Sequence, residues 1–370
     1  MSDALLSTLA EALAELVTAV ETSDDEDLDP DTAVQWLANT GHTLGRLGAA
    51  DRRALDTLLH EAALRQPPGP WRDALIRVPE RLGRPGGLRG AAPAASGTAA
   101  PVGTGVAWAP GTGSPVAGHV ATCEAVAEHV LRFAALVRDA EPTTPVPTCP
   151  GWTLADLTRH LGAVHRWTGH LVRTRATVRV RAEDVPLDLP SDPAAYADWL
   201  TAGAESALAA LSTAGPDLPV WSPGADPHVR HHSRRLLSEA VVHLADAELA
   251  LGGPARTVDP RTAADAIDHF LTDAPYIPWI AEPLAHLDRD GAVLRLTARD
   301  TGAVRTLALG GGGFTWSRGS GGPEPTAGVV AESTGELLLL LHRRYPADDA
   351  RFTHTGDREL LDDWLAATAL

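Results

Sequence analysis

The stretch 149–167, CPGWTLADLTRHLGAVHRW, predicts how one helix begins and what it carries. Thr153 and Asp156 have the spacing of a capping box, in which both side chains bond to backbone N–H groups of the first turn. The Pro-Gly pair before Trp152 prevents the helix from extending backwards. The apolar stripe of this helix consists of Leu154, Leu157, Leu161 and Val164. His160 therefore lies at the border of a predicted core face.

A second stretch, SRRLLSEAVVHLADAELALG at 233–252, contains a glutamate and a histidine four residues apart. This spacing puts Glu239 and His243 on one face of a helix, one turn apart. On spacing alone they are either a solvated ion pair or two ligands of a cation. Inward-facing Glu and His side chains of neighbouring helices form metal sites in helical bundles. His160 on a facing helix would complete a His₂Glu set that leaves coordination positions open.

Polar residues near this pair have two interpretations each. Asp246 is either an acceptor behind the His243 imidazole or an exposed acid. Arg235, one turn before Glu239, either binds a substrate carboxylate or pairs with an acid. The run HVRHH at 228–232 is interpreted as a polar helix entrance, with a source of further ligands as the alternative.

The first third of the chain predicts a small helical domain followed by a linker. Residues 1–82 contain three helical stretches, at 4–20, 31–47 and 50–65. Residues 83–117 are rich in Gly, Pro and Ala without an apolar period, which is typical of a flexible linker.

The rest of the chain predicts a four-helix bundle and then an α+β domain. Four helical patterns within 118–256 lie near 118–140, 152–175, 192–213 and 230–251. In 257–370, a helix at 259–272 precedes strand patterns and two further helices. The strand patterns lie at 292–300, 304–318 and 327–333, and the helices are TGELLLLLHRR and the C-terminal GDRELLDDWLAATAL. The predicted fold class is mainly α with an α+β C-terminal domain.

Composition excludes several classes of function. The 31 basic residues, all Arg, face 48 acidic ones, for a formal net charge of -17. This balance argues against nucleic-acid binding and gives no attraction to an anionic membrane. The 2 cysteines, without a CxxC, form neither a disulfide scaffold nor a thiolate metal site. The acidic N-terminus lacks signal-peptide features and no apolar run is long enough to span a bilayer, so we expect a cytoplasmic protein.

The two helical stretches together resemble a known family. VPTCPGWTLADLTRHLGAVHRW, followed by RRLLSEAVVHLADAE, is similar to the mycothiol-dependent maleylpyruvate isomerase family of actinobacteria, within the DinB-like metal-binding bundle superfamily. That family has a Gly-Trp-[Ser/Thr] helix start with a His eight residues after the Trp, and later a Glu-x-x-x-His with an Asp three residues on. The tail ELLLLLHRRYPADDARFTHTGDRELLDDWL resembles its sterol-carrier-protein-like C-terminal domain. The resemblance covers about 118–370, and this chain has HVRHHSRR where the family often has a Trp before paired arginines.

The resemblance implies a function. His160, Glu239 and His243 would bind a divalent metal, usually zinc, which activates mycothiol or a similar low-molecular-weight thiol. The thiol would act on a small electrophilic substrate in an isomerase or S-transferase reaction, with Arg235 as a candidate catalytic residue. Two alternatives are a metal-assisted hydrolase or lyase, and a non-catalytic metal-binding regulatory module. Residues 1–82 lie outside the family's usual domain plan, and they are a candidate for docking a protein partner or for oligomerisation. The composition of the chain, which has Arg as its only basic residue besides His and is rich in Ala, fits an actinobacterial source.

Overall fold

The structure is a computed structural model that describes residues 49–66, 115–256 and 258–369, with isolated positions within 8–18 and at 72 and 76. The chain divides into two compact units, Met1–Pro101 and Val102–Leu370.

The first unit contains a helix that the sequence predicted. Helix α1 is Ala49–Arg65, and the described positions within 8–18 are also helical. A small apolar cluster buries Ala10, Val17, Leu59 and Ala63. The helix predicted at 31–47 and most of the predicted linker lie outside the described residues.

In the second unit, four helices form a closed ring. They are α2 (Pro115–Arg138), α3 (Leu154–Thr174), α4 (Tyr196–Ala214) and α5 (Val229–Ala250). Helices α2 and α3 lie opposite each other, because each contacts both α4 and α5. This arrangement confirms the four predicted helices, with α2 beginning three residues before the predicted bundle boundary.

Helix α3 begins where the sequence predicts. Thr153 is its N-cap, and its hydroxyl accepts a hydrogen bond from the Asp156 backbone N–H while the Asp156 carboxylate accepts one from the Thr153 N–H. Gly151 has φ of 87°, which favours glycine. The Val146 N–H donates to the Trp152 carbonyl over 2.9 Å, so the loop before the helix folds back on itself. These bonds fix Trp152 beside the first turn of α3.

The C-terminal part combines four helices with one sheet. The helices are α6 (Pro260–Asp273), α7 (Pro278–Ala285), α8 (Thr334–Leu341) and α9 (Arg358–Ala367). The strands are β1 (Val293–Ala298), β2 (Ala303–Gly310), β3 (Gly313–Arg318), β4 (Ala327–Ala331) and β5 (Phe352–Gly356). Their order is β3-β2-β1-β4-β5, with β1 and β4 parallel and the other neighbours antiparallel. The predicted strands are confirmed, whereas β5 and α7 were not predicted.

Helix α8 explains the leucine run of the sequence. It contacts α6 on one side and strands β1 and β4 on the other, and all five residues of 337–341 are at most 3% exposed. A helix covered on both sides needs apolar residues all round. One hydrophobic core therefore extends from the four-helix ring into the α+β part.

An ionic group around the buried Asp268 carboxylate also ties α6 to the sheet. The Asp268 carboxylate accepts hydrogen bonds from Arg305 over 2.8 Å and from Arg318 over 2.9 Å.

Within the described part of the chain, no helix combines the length and the hydropathy needed to cross a bilayer.

Candidate metal centre

The three predicted ligands converge between α3 and α5. The Nε2 atoms of His160 and His243 lie 3.2 and 3.3 Å from the same oxygen, Glu239 Oε2. One ligand atom from each residue lies within 4.8 Å of the other two. Four ligands about 2.0–2.1 Å from a zinc ion stand about 3.3 Å apart at the corners of a tetrahedron. The donor types and two of their separations therefore fit a divalent metal ion, which would sit among the three atoms.

Partial burial shapes the chemistry of this cluster. The side chains of His160, Glu239 and His243 are 16%, 19% and 10% exposed. The cluster is therefore shielded from bulk solvent but not closed to it. The Trp152 ring lies 5.1 Å from the His160 ring and 6.2 Å from the His243 ring, between ring centres. The capped start of α3 thus provides one wall of the site.

The charges of the cluster are strongly coupled. Burial tends to raise the pKa of Glu239, but hydrogen bonds with His160 and His243 outweigh it and hold this pKa well below its usual value. Burial tends to lower the pKa of His243, but hydrogen bonds with Asp246, Cys149 and Glu239 raise it well above the usual value. The carboxylate is thus ionised and available as a ligand. A metal ion would displace a proton from His243, as ligation of imidazole requires the neutral form.

Asp246 lies directly behind His243. It is completely buried, and its Oδ2 accepts a hydrogen bond from His243 Nδ1 over 2.8 Å. This bond fixes the ring so that Nε2 faces Glu239, as second partners of ligating histidines do. Of the two interpretations of Asp246, the acceptor behind the imidazole is confirmed.

The partners of Asp246 come from distant parts of the chain. Thr148 donates to it over 2.6 Å, and Arg344 donates through Nε over 2.9 Å and through a terminal nitrogen over 2.8 Å. Arg344 follows α8, and Arg343 before it has φ of 60°, which turns the chain toward the bundle. Sequence reasoning missed Arg344 because nothing local to HRRYP indicates an acid 98 residues away.

Cys149 borders the same network. Its Sγ lies 3.4 Å from Asp246 Oδ2 and 3.5 Å from a terminal nitrogen of Arg344. With His243 and Asp246 it forms a second group whose ligand atoms lie within 4.8 Å of one another. This second group shares His243 with the group of His160, Glu239 and His243. The same nitrogen of His243 therefore cannot bind a metal ion in both groups at once.

Arg235 lies at the edge of the cluster. Its Nε is 3.6 Å from Glu239 Oε1, and its guanidinium carbon is 5.3 Å from the centre of the Trp167 ring. The pairing with an acid is therefore present in the structure, and its side chain is 22% exposed. The role of Arg235 toward substrate stays a prediction.

The histidines at the start of α5 correct one interpretation. His231 and His232 are 3% and 0% exposed, so the polar helix entrance that the sequence predicted is buried at these two residues. His228 fits the entrance, because it is the N-cap of α5.

Comparison with known proteins agrees with this site. Residues 123–248 match the family described as mycothiol maleylpyruvate isomerase N-terminal domain. This segment is therefore similar to the N-terminal domain of that family. The matched segment holds all three converging side chains and Asp246, and it corresponds to the four-helix ring from α2 to α5. The family resemblance predicted from the sequence is confirmed.

Other comparisons add little. Among solved structures, the chain is similar to the inverting sec-alkylsulfatase Pisa1 of Pseudomonas sp., at 17% identity and a TM-score of 0.24, covering 86% of this chain and 43% of that one. A double mutant of PisA1 gives the same identity and TM-score, with 98% and 51% covered. The chain thus spans about half the length of these structures, and such TM-scores do not establish a shared fold. No curated protein matches the sequence.

Proposed function

We propose that the protein is a divalent-metal-dependent enzyme that activates a low-molecular-weight thiol, of the mycothiol type, for isomerase or S-transferase chemistry on a small electrophile. The observation that carries the proposal is the convergence of His160 Nε2 and His243 Nε2 on Glu239 Oε2, at 3.2 and 3.3 Å. The family match of the segment that holds these residues supports the choice of thiol. Zinc is the proposed metal because imidazole and carboxylate ligands in a three-residue set are typical of catalytic zinc.

When bound, the ion would lower the pKa of a thiol from about 8.5, so that the nucleophilic thiolate prevails at neutral pH. The residues of the chain then have separate tasks. Asp246 orients the His243 ring through its 2.8 Å bond, and Arg344 keeps Asp246 ionised by a charge-assisted bond. Trp152 packs beside both imidazoles and limits the access of water.

The isomerisation needs no other reagent than the thiol. The thiolate sulfur bonds to one carbon of a conjugated double bond, and the electron pair of that double bond moves to the adjoining carbonyl oxygen. Rotation about the new single bond and expulsion of the thiolate restore the double bond in the trans form. In the S-transferase reaction, a proton adds to the carbon next to the carbonyl and the sulfur stays attached.

Arg235 is the proposed residue for binding a carboxylate of the substrate. It lies one turn before Glu239 on the same helix face, with its Nε 3.6 Å from Glu239 Oε1, and therefore stands beside the metal-ligand cluster. We expect Arg235→Gln to raise KM for an anionic substrate more than it lowers kcat.

The test combines metal analysis with a thiol requirement. Protein purified without a histidine tag should lose one equivalent of metal per chain in His160→Ala and in His243→Ala. Isomerisation of maleylpyruvate, or S-alkylation of mycothiol by an electrophile, should require both thiol and metal. Turnover without any thiol would instead favour the hydrolase or lyase, in which water takes the place of the thiol. Metal binding without turnover on any substrate would favour a regulatory module.

The finer assignments of fold and location are proposals too. We propose that the four-helix ring is DinB-like, because the helix count, the ligand positions and the family match support this assignment. We also propose that the five-stranded part is sterol-carrier-protein-like. The division into 1–82, 83–117, 118–256 and 257–370, a cytoplasmic location and docking through 1–82 stay predictions.

A further inference from the structure

A second cluster of metal-ligating side chains lies on the same helix as the first. His231 is in the first turn of α5, eight residues before Glu239, and therefore about 12 Å away along the helix axis. His269 and Asp273 lie one turn apart at the end of α6, which packs against α5. One ligand atom from each of the three residues lies within 4.8 Å of the others.

The distances in this cluster match a metal site. The Nδ1 atoms of His231 and His269 approach the same oxygen, Asp273 Oδ2, at 3.2 and 3.3 Å. These separations exceed the length of a charge-assisted hydrogen bond, about 2.7–2.9 Å. They match the edge of a ligand tetrahedron around zinc, about 3.3 Å for ligands about 2.0–2.1 Å from the ion.

Burial determines the protonation states of the three side chains. The side chains of His231, His269 and Asp273 are only 2%, 9% and 11% exposed. Burial lowers the pKa of both imidazoles well below the usual value and raises the pKa of Asp273 to about 6. Two neutral imidazoles and a carboxylate are the ligand forms that a metal ion requires.

The chain around Asp273 is shaped to hold its carboxylate. A Cβ on Gly224 would lie 2.3 Å from Asp273 Oδ1, so only glycine leaves room for this oxygen. The Ala225 N–H lies 3.4 Å from the same oxygen and donates to it. Oδ2 is thereby left for the two imidazoles. The neighbouring cation Arg234 is paired with Asp265 over 2.9 Å, which reduces its repulsion of a bound ion.

We propose that His231, His269 and Asp273 bind a second divalent transition-metal ion, with zinc as the expected metal. Two imidazoles and a carboxylate suit this class of ion rather than calcium or magnesium, which prefer oxygen ligands. The burial of all three side chains assigns the ion a structural role, in which it joins the start of α5 to the end of α6. This site is independent of the proposed catalytic function.

The experiment counts zinc in the full chain. Tag-free protein, stripped with a chelator, is titrated with zinc against a competing chelator so that only tight sites are counted. Two equivalents per chain are expected for the unaltered protein, and one for Asp273→Asn and for His160→Ala. His232→Gln is the matched control: this buried neighbour donates through Nε2 to the Trp221 carbonyl over 2.8 Å and should retain two equivalents.

Three results would overturn the proposal. In the first, the unaltered protein binds only one equivalent of zinc, and His160→Ala removes it. In the second, Asp273→Asn still binds two equivalents. In the third, the control His232→Gln also loses one equivalent. Should Asp273→Asn fail to fold, zinc-edge anomalous scattering from crystals of the unaltered protein decides: a peak between His231 and Asp273 supports the site, and its absence in zinc-soaked crystals contradicts it.

Discussion

Replacing Asp246 by Asn should weaken metal binding without touching a ligand. The partners of this carboxylate are donors: His243 Nδ1, Thr148 Oγ1 and two nitrogens of Arg344 at 2.6–2.9 Å, and Cys149 Sγ at 3.4 Å. An amide NH₂ in this position must face at least one of them, so a repulsive contact replaces a hydrogen bond. The His243 ring then loses the acceptor that fixes its orientation.

The expected magnitude follows from two effects. A ligating imidazole whose other ring nitrogen loses its hydrogen-bond acceptor binds metal about 10–100-fold more weakly. This change in affinity corresponds to about 1.4–2.8 kcal/mol. The fold is also weakened, because Arg344, 9% exposed, remains as a buried charge without its acid. Breaking a buried ion pair in this way costs about 3–5 kcal/mol.

The assay measures zinc affinity and stability separately. Chelator competition gives the affinity of the site that His160→Ala abolishes, and urea unfolding gives the free energy of unfolding. Thr148→Val is the matched control, since it removes one neutral donor and keeps the charge of Asp246. It should cost about 1 kcal/mol of stability and leave zinc affinity nearly unchanged. If Asp246→Asn binds zinc as tightly as the unaltered protein, the role given to Asp246 is wrong.

Two further predictions concern the bundle. Gly162→Ala should destabilise the protein by about 1–3 kcal/mol, because the new Cβ would lie 1.9 Å from the Trp199 ring. A Cβ on Gly118 would have no atom within 4 Å, so Gly118→Ala should instead stabilise α2 by up to about 1 kcal/mol. If urea unfolding shows the same change in the free energy of unfolding for both variants, the packing argument is wrong. Burial of His165 lowers its pKa to about 4 from 6.5. As the pH falls below 6.5, the unfolded chain therefore binds more protons at this residue than the folded chain does. The free energy of unfolding consequently decreases by about 2 kcal/mol when the pH is lowered from 7 to 5. His165→Leu should lose that part of the pH dependence, and an unchanged slope would contradict it.

Local patterns predicted much of the fold and the first site. The Thr153–Asp156 capping box depends on residues three apart, and the structure has it where the sequence indicates. Glu239 and His243 depend only on helical periodicity. His160 was a candidate from the bundle pattern, and the family resemblance supported it, because spacing within one helix does not determine which helix lies opposite.

The rest depended on contacts between distant segments. Arg344 reaches Asp246 only because α8 ends beside the bundle, and no local pattern contains that information. The His269–Asp273 pair has the same i,i+4 spacing as Glu239–His243, so a search for such pairs on every helix would have found it. Its third member, His231, was interpreted as part of a polar helix entrance because HVRHH is polar in sequence. The polarity of this run did not indicate that His231 is buried beside His269 of α6.

The ion itself tests the central claim most directly. Crystals grown with zinc and measured at the zinc absorption edge should give an anomalous peak about 2.0–2.2 Å from His160 Nε2, Glu239 Oε2 and His243 Nε2. A map without density there, in which Glu239 still bonds directly to both imidazoles, would contradict metal binding at this centre and the thiol chemistry proposed from it.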